Sequence, residues 1–151
     1  MKFSTRTLYG LKAVLVLANR YGEGSLSVSQ IAKKEGISIA YLEQILNGLK
    51  KKGLVKSVRG PQGGYVLAKK PADVSLHQLF YTLEERATAA NGKAPAPSNA
   101  DEIAIGNFVF WKTLHGGIDR ALSEMTLKDL IDQARRIKKT RSSSSDHPFN
   151  I

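Results

Sequence analysis

Val55-Lys56-Ser57-Val58-Arg59-Gly60-Pro61-Gln62-Gly63-Gly64-Tyr65-Val66-Leu67 decides how the rest of the chain is read. Two short β-prone runs flank a turn built from Arg, Pro and three glycines. Gly permits positive φ and close backbone approach, and Pro presets a turn. The stretch predicts a hairpin whose tip carries one Arg and little bulk. Such a tip suits a narrow groove that concentrates negative potential. Alone it could be any hairpin; what precedes it narrows the reading.

Ser27-Val28-Ser29-Gln30 is a capping-box pattern that starts a short helix reaching about Glu35. Ile31 and Ala32 face inward, Gly36 breaks the helix, and Ile37 packs in the turn. Ser38 caps a further helix to about Lys52, with Tyr41, Leu42, Ile45, Leu46 and Leu49 as its buried stripe. Gly53 stops it. Two short helices joined by a Gly-containing turn are a helix-turn-helix signature, and the hairpin behind them makes it a winged helix. Upstream, residues 3–20 predict a first helix capped by Ser4 or Thr5. Leu8, Leu11, Leu15 and Ala18 recur on its inward face, broadened by Val14 and Leu17.

Charge placement agrees with a phosphate-binding unit. The net charge is +10, and residues 1–70 hold 13 Lys/Arg against 3 acidic residues, while residues 71–151 hold 10 of each. The whole excess sits in the winged-helix half. No apolar run approaches the ~18 residues of a transmembrane span, and no signal-peptide segment opens the chain, so the sequence reads as cytoplasmic with no membrane partner. There is no cysteine, which excludes disulfides and thiolate metal sites. No paired His and carboxylate motif or phosphate-binding Gly loop before a helix is present, so an enzyme is not expected.

Downstream, residues 75–85 look helical, with Leu76, Leu79, Phe80 and Leu83 at three and four. Residues 86–101 are rich in Ala, Asn, Gly, Lys, Pro and Ser and read as a long loop. Residues 102–123 form the longest amphipathic pattern. Ile105, Phe108, Trp111, Leu114 (or His115), Ile118 and Leu122 line one face, expected to bury against a second subunit, the alternative being that it folds back on its own domain. Gly116-Gly117 within it costs roughly 1–2 kcal/mol relative to Ala, which points to a close helix crossing or a break. A last helix starts behind a Thr126 cap. The expected class is mainly α with a small β-hairpin. Its parts are a winged helix-turn-helix (1–70), a connecting helix (71–85), the loop (86–101), a dimerisation helix with a following short helix (102–134), and a frayed basic, Ser-rich tail (135–151).

The third helix would lie in a major groove with Ser38, Ala40, Glu43, Gln44 and Asn47 toward base edges, and Tyr41 as a core or phosphate contact. Gln44 can bond an adenine edge and Glu43 can accept from a cytosine amino group. Alternatively, Glu43 pairs with Lys50 or Lys51 on the surface. Lys50, Lys51, Lys52 and Lys56 suit phosphates, as do Ser4, Thr5, Arg6 and Tyr9 on the first helix and Gly60 in the wing. Arg59 is the minor-groove candidate. His77 and His115 are lone histidines, read as surface or satisfied core residues.

Several of these stretches together closely resemble the bacterial regulators typified by IscR, NsrR, RirA and CymR. They are Met1-Lys2-Phe3-Ser4 with Tyr9-Gly10, Ile37-Ser38-Ile39-Ala40-Tyr41-Leu42-Glu43-Gln44-Ile45-Leu46, Gly53-Leu54-Val55 and Val58-Arg59-Gly60-Pro61-Gln62-Gly63-Gly64-Tyr65. The likeness spans roughly residues 1–130 and continues in Trp111 and Thr126-Leu127-Lys128-Asp129-Leu130. It implies a homodimeric regulator, a repressor in type, on pseudo-palindromic promoter DNA. Ser38, Ala40, Glu43 and Gln44 would lie in the major groove and Arg59 in the minor groove. Ala40 stands where some members have Ser.

The resemblance also implies an iron–sulfur cluster, of [2Fe-2S] type, on three loop cysteines, and this chain has none. Ala90, Ala94, Ala96, Ala100 and Ala104 are spaced much as such cysteines are. Two readings stand side by side. In one, these alanines replace the ligands of an iron–sulfur sensor and hold it in an apo form. In the other, the chain is naturally cluster-free and acts through a protein partner such as a cysteine-biosynthesis enzyme.

Overall fold

The computed structural model describes residues 3–84, 96–98 and 101–145. Helix α1 (Thr5–Asn19) is capped by Ser4, whose hydroxyl accepts from the Thr7 amide. Helix α2 (Val28–Glu35) has the full capping box, with Ser27 and Gln30 each bonding the other's backbone amide. Gly36 ends it in the left-handed region at φ +66°. Helix α3 (Ile39–Lys51) follows its Ser38 cap. Strands β1 (Val55–Val58) and β2 (Gly64–Leu67) form an antiparallel hairpin with Val55 opposite Leu67 and Val58 opposite Gly64. A 3₁₀ turn (Pro71–Asp73) leads to α4 (Leu76–Leu83), and then come α5 (Glu102–Ser123) and α6 (Leu127–Ser145). No described helix is long and apolar enough to cross a membrane.

The core sits where α1, α2, α3 and α4 meet the hairpin base. Ile31, Leu42, Ile45, Leu49, Leu54 and Leu79 are almost wholly buried there. The inward face of α1 is the expected one at Val14, Leu17 and Ala18, which are buried, but Gly10 and Ala13 are buried in place of Leu8, which is 53% exposed, and of Leu11 and Leu15, which only pack at the edge. Gly10 lies on that face because α1 passes close to α3 and α4 there. A Cβ on Gly10 would lie 2.3 Å from a Leu83 methyl and 3.3 Å from Ile45. Tyr41 and Phe80, expected in buried stripes, are half-buried and meet aromatic partners instead: Tyr41 against Tyr9 and Phe80 against Phe3, both edge-on.

The C-terminal part departs more. α5 runs through Gly116-Gly117 without a break. α6 does not stop near residue 134. It continues to Ser145, so the expected frayed tail is helical from 135 to 145. Arg and Lys favour helix, and the hydroxyls of Thr140, Ser142 and Ser144 fold back onto carbonyls of the preceding turn. The first turns of α6 join the winged-helix core through Leu127 and Ile131. The Leu127 amide donates to Val74 O at 2.9 Å and the Leu76 amide to Met125 O at 3.0 Å. Thr126 and Asp129 close the start of α6 reciprocally.

Glu84 ends α4 with a buried carboxylate. Its Oε1 accepts from the Ser4 amide (3.0 Å), the Ser4 hydroxyl (3.0 Å) and the Thr7 hydroxyl. Desolvation raises its pKa, but the bonds from Thr7 and Ser4 outweigh that and hold it below the usual carboxylate range. A carboxyl with a lower pKa folded than unfolded adds stability in full above its unfolded value, and loses it as pH falls through the folded one. Glu84→Ala should therefore destabilise by about 2–3 kcal/mol at pH 7, since buried donors lose a charged acceptor. Urea melts should show that gap narrowing as pH falls through the folded carboxyl's titration, which lies below the usual carboxylate range.

Candidate nucleic-acid interface

The alternation of buried and exposed residues on α3 sorts its side chains. Leu42, Ile45, Leu46 and Leu49 enter the core, leaving Ala40, Glu43, Gln44, Asn47, Lys50 and Lys51 exposed on one side, with Ile39 49% exposed at the start. Ser38 lies at the same end, its hydroxyl accepting from the Tyr41 amide at 3.2 Å. Glu43 makes no ion pair among the described residues. The pairing with Lys50 that the sequence left open does not form, because the Lys50 amine turns to Ser57 on β1 at 2.8 Å. Glu43 is left with its carboxylate directed to solvent.

The wing is fixed at several points. Gly63 N–H donates to Gly60 O at 2.9 Å across the tip, and Gly60 adopts φ +118°, where a side chain would be strained. Ser25 donates to Gln62 O at 2.6 Å. Leu26 and Tyr65 exchange backbone bonds of 3.0 and 2.8 Å, adding a third stretch of chain beside the hairpin. The Tyr65 hydroxyl reaches Asn47 Oδ1 of α3 at 3.5 Å. Wing and α3 are thus joined by Lys50–Ser57 and Tyr65–Asn47, and Arg59, Gly60 and Lys56 stay exposed. Ser25 and Ser57 were not singled out from sequence. Small hydroxyl residues in loops and strands carry no pattern that separates a link from solvent.

α1 meets α3 through two further contacts. Gly48 leaves room for Arg6: a Cβ there would lie 2.3 Å from Arg6 Nη2. Arg6 Nε is buried without a hydrogen-bond partner among the described residues. Tyr9 and Tyr41 rings pack 6.0 Å apart. Thr5 is exposed beside them. Ser4 is different. Its hydroxyl accepts from the Thr7 amide and donates its one proton to Glu84, and its amide donates to Glu84 as well. The phosphate contact expected of Ser4 is dropped, and Thr5, Arg6 and Tyr9 carry that expectation.

No cysteine exists in the chain, and the described residues hold no group of three His, Cys, Asp or Glu able to hold a metal. A thiolate-held iron–sulfur cluster does not fit these residues. Ala90, Ala94 and Ala100 lie outside the described residues. Ala96 is exposed, and Ala104 is half-buried in the first turn of α5.

A helix-turn-helix with a hairpin fastened to its second helix defines a winged-helix protein, the class of the DNA-binding transcription regulators. The chain belongs to the Rrf2 family, described as iron-dependent transcriptional regulator, which it matches over residues 3–133. It is 33% identical over 130 residues to the HTH-type transcriptional regulator CymR of Bacillus subtilis, covering 86% of this chain and 89% of that one. It is 30% identical over 132 residues to IscR of Photorhabdus laumondii, covering 87% and 80%. The solved structure of T. potens IscR superposes with a TM-score of 0.73 at 34% identity, over 89% of this chain and 88% of that one.

Proposed function

We propose that this regulator works as a homodimer on pseudo-palindromic promoter DNA in the cytoplasm. Each α3 enters a major groove and each Arg59 a minor groove. The observation that carries this is the fastening of the wing to α3 by Lys50–Ser57 and Tyr65–Asn47, which makes the exposed face of α3 and the wing tip one surface. Base edges are read by Ser38, Ala40, Glu43, Gln44 and Arg59. Phosphates are met by Thr5, Arg6, Tyr9, Tyr41, Lys50, Lys51, Lys56 and the Gly60 backbone. A solvated carboxylate such as Glu43 is unfavourable near phosphates unless it accepts from a base, so it acts chiefly by rejecting wrong sequences.

The dimer reading is supported by α5, which has no buried residue in 22. Ile105 is 40% and Trp111 41% exposed, with Phe108, Leu114, Ile118 and Leu122 half-buried. Ile103, Val109 and Phe110, outside the expected stripe, are 81%, 51% and 60% exposed. A helix with so many large apolar side chains uncovered on its own subunit is a helix that something covers. A two-fold mate is the occupant that also gives two readers for a palindrome.

Mobility shifts on DNA selected from a random pool test the reading. Binding should be nanomolar in range and fall steeply with salt. Arg59→Ala should lose about tenfold or more on the selected operator and much less on random DNA. Equal losses on both would remove Arg59 from the readout.

For the signal, the alanines at 90, 94, 96, 100 and 104 are read as positions of replaced cluster ligands in an iron–sulfur sensor. The family's iron-dependent description and the IscR likeness support that reading. The comparable likeness to CymR favours the second reading, a cluster-free regulator with a protein partner. Returning Cys at three of these positions and reconstituting with iron and sulfide separates them. A visible-absorbing cluster that alters operator affinity supports the first, and a colourless protein supports the second.

A further inference from the structure

α5 packs onto its own subunit through α4. The polar centre of that contact is one carboxylate oxygen. The Tyr81 hydroxyl donates to Asp119 Oδ1, and His77 Nε2 lies 3.4 Å from the same atom. His77 and Tyr81 stand one helical turn apart on α4, with ring centroids 4.6 Å apart. The aromatic chain continues inward: Tyr81 meets Phe80 edge-on at 5.4 Å, and Phe80 meets Phe3 before α1 at 5.7 Å. A line of contacts therefore runs from α5 through α4 to the start of α1. Burial, the bond to Asp119 and its charge push the Tyr81 phenol up to about 12, so it remains a donor at any working pH.

Apolar contact is non-directional, whereas a hydrogen bond fixes an angle. The apolar residues of α5 are half-buried or exposed, so apolar packing alone leaves the helix free to rock on α4. The Tyr81 bond to Asp119, with the His77 ring against the same oxygen, resists both sliding and rotation. In a dimer joined through α5, a rotation at this joint is carried out to both copies of α3. Successive base pairs are only about 3.4 Å apart, so a small rotation changes which half-site separation fits.

We propose that His77, Tyr81 and Asp119 form a positioning joint that sets the angle between α4 and α5, and through it the half-site spacing that the dimer accepts. This rests on the dimeric DNA-binding reading above. The residues touch no DNA in this scheme. They act through the placement of α3.

The test uses the full-length protein and a selected operator with one or two base pairs added or removed between its half-sites. Wild type should lose about tenfold or more for a one-pair change. Tyr81→Phe and Asp119→Ala should flatten that profile while binding a single half-site as wild type does. Asp119→Asn, which keeps an acceptor oxygen, should retain the preference. Thermal melts of each variant separate loosening from unfolding. A wild-type spacing profile in both Tyr81→Phe and Asp119→Ala overturns the joint, as does an equal loss on every spacing and on the half-site. If wild type binds operator without any spacing preference, the joint falls and the DNA-binding reading stands. If wild type binds no DNA, both fall.

Discussion

Gly64→Ala should detach the wing. A Cβ at this position would lie 2.1 Å from the backbone oxygen of Leu26 and 2.3 Å from its carbonyl carbon. Neither atom belongs to a flexible side chain, so relief requires the strand to move. That movement opens the exchange between Leu26 and Tyr65, and with it the Tyr65–Asn47 contact to α3. Overpacking together with the loss of two backbone bonds amounts to about 2–4 kcal/mol. The melting temperature should fall by roughly 5–15 °C. Hydrogen exchange at the Leu26 and Tyr65 amides should quicken, and operator binding should drop further than stability alone explains. Protected amides at both positions in the variant would show that the hairpin accommodates the methyl and that the argument is wrong.

Trp111→Asp should leave the subunit folded and separate the dimer. The ring is 41% exposed within its own subunit, resting on Phe110 at 5.2 Å and donating to Asn107 at 3.2 Å. Burial of one aromatic against a partner contributes about 1.5–3 kcal/mol. Two-fold symmetry doubles the loss, so dimer dissociation should strengthen by roughly 10²–10⁴-fold. Sedimentation at micromolar concentration should show a monomer where wild type is a dimer. Operator binding should fall toward that of one half-site. Identical sedimentation of the two proteins would remove α5 as the interface.

How far the sequence could be read follows from the range of each interaction. The helix-turn-helix and the wing depend on local chemistry: the Ser27–Gln30 box, Gly36 in the left-handed region and the turn at Gly60–Gly63. Those signals lie within a few residues and were legible. The inward face of α1 was legible at Val14, Leu17 and Ala18 but not at Gly10, which is small to admit Leu83 from much later in the chain. The end of α6 was not legible because residues 135–144 are exposed throughout, so no buried apolar stripe separates a helix there from a frayed tail. At the candidate site, the 3.6-residue period placed Glu43 and Gln44 correctly on the exposed side of α3. It could not show Lys50 turning to Ser57, or Glu84 reaching Ser4 across 80 positions, since neither has a local sequence signature.

The paired amides at Leu76 and Leu127 have a mechanical consequence. The bonds of Leu76 to Met125 and of Leu127 to Val74 pin the chain that leaves α5 to the segment that enters α4, and Leu127 and Ile131 root it in the winged-helix core. The C-terminal end of α5 is therefore anchored to the body at the same spot where α4 begins. A load applied to α5 passes into the body through that one anchorage and through α4. The same closure makes the first 70 residues a fragment of the folding unit: a chain cut before α6 would expose the apolar seat of Leu127 and lose the edge that holds Val74.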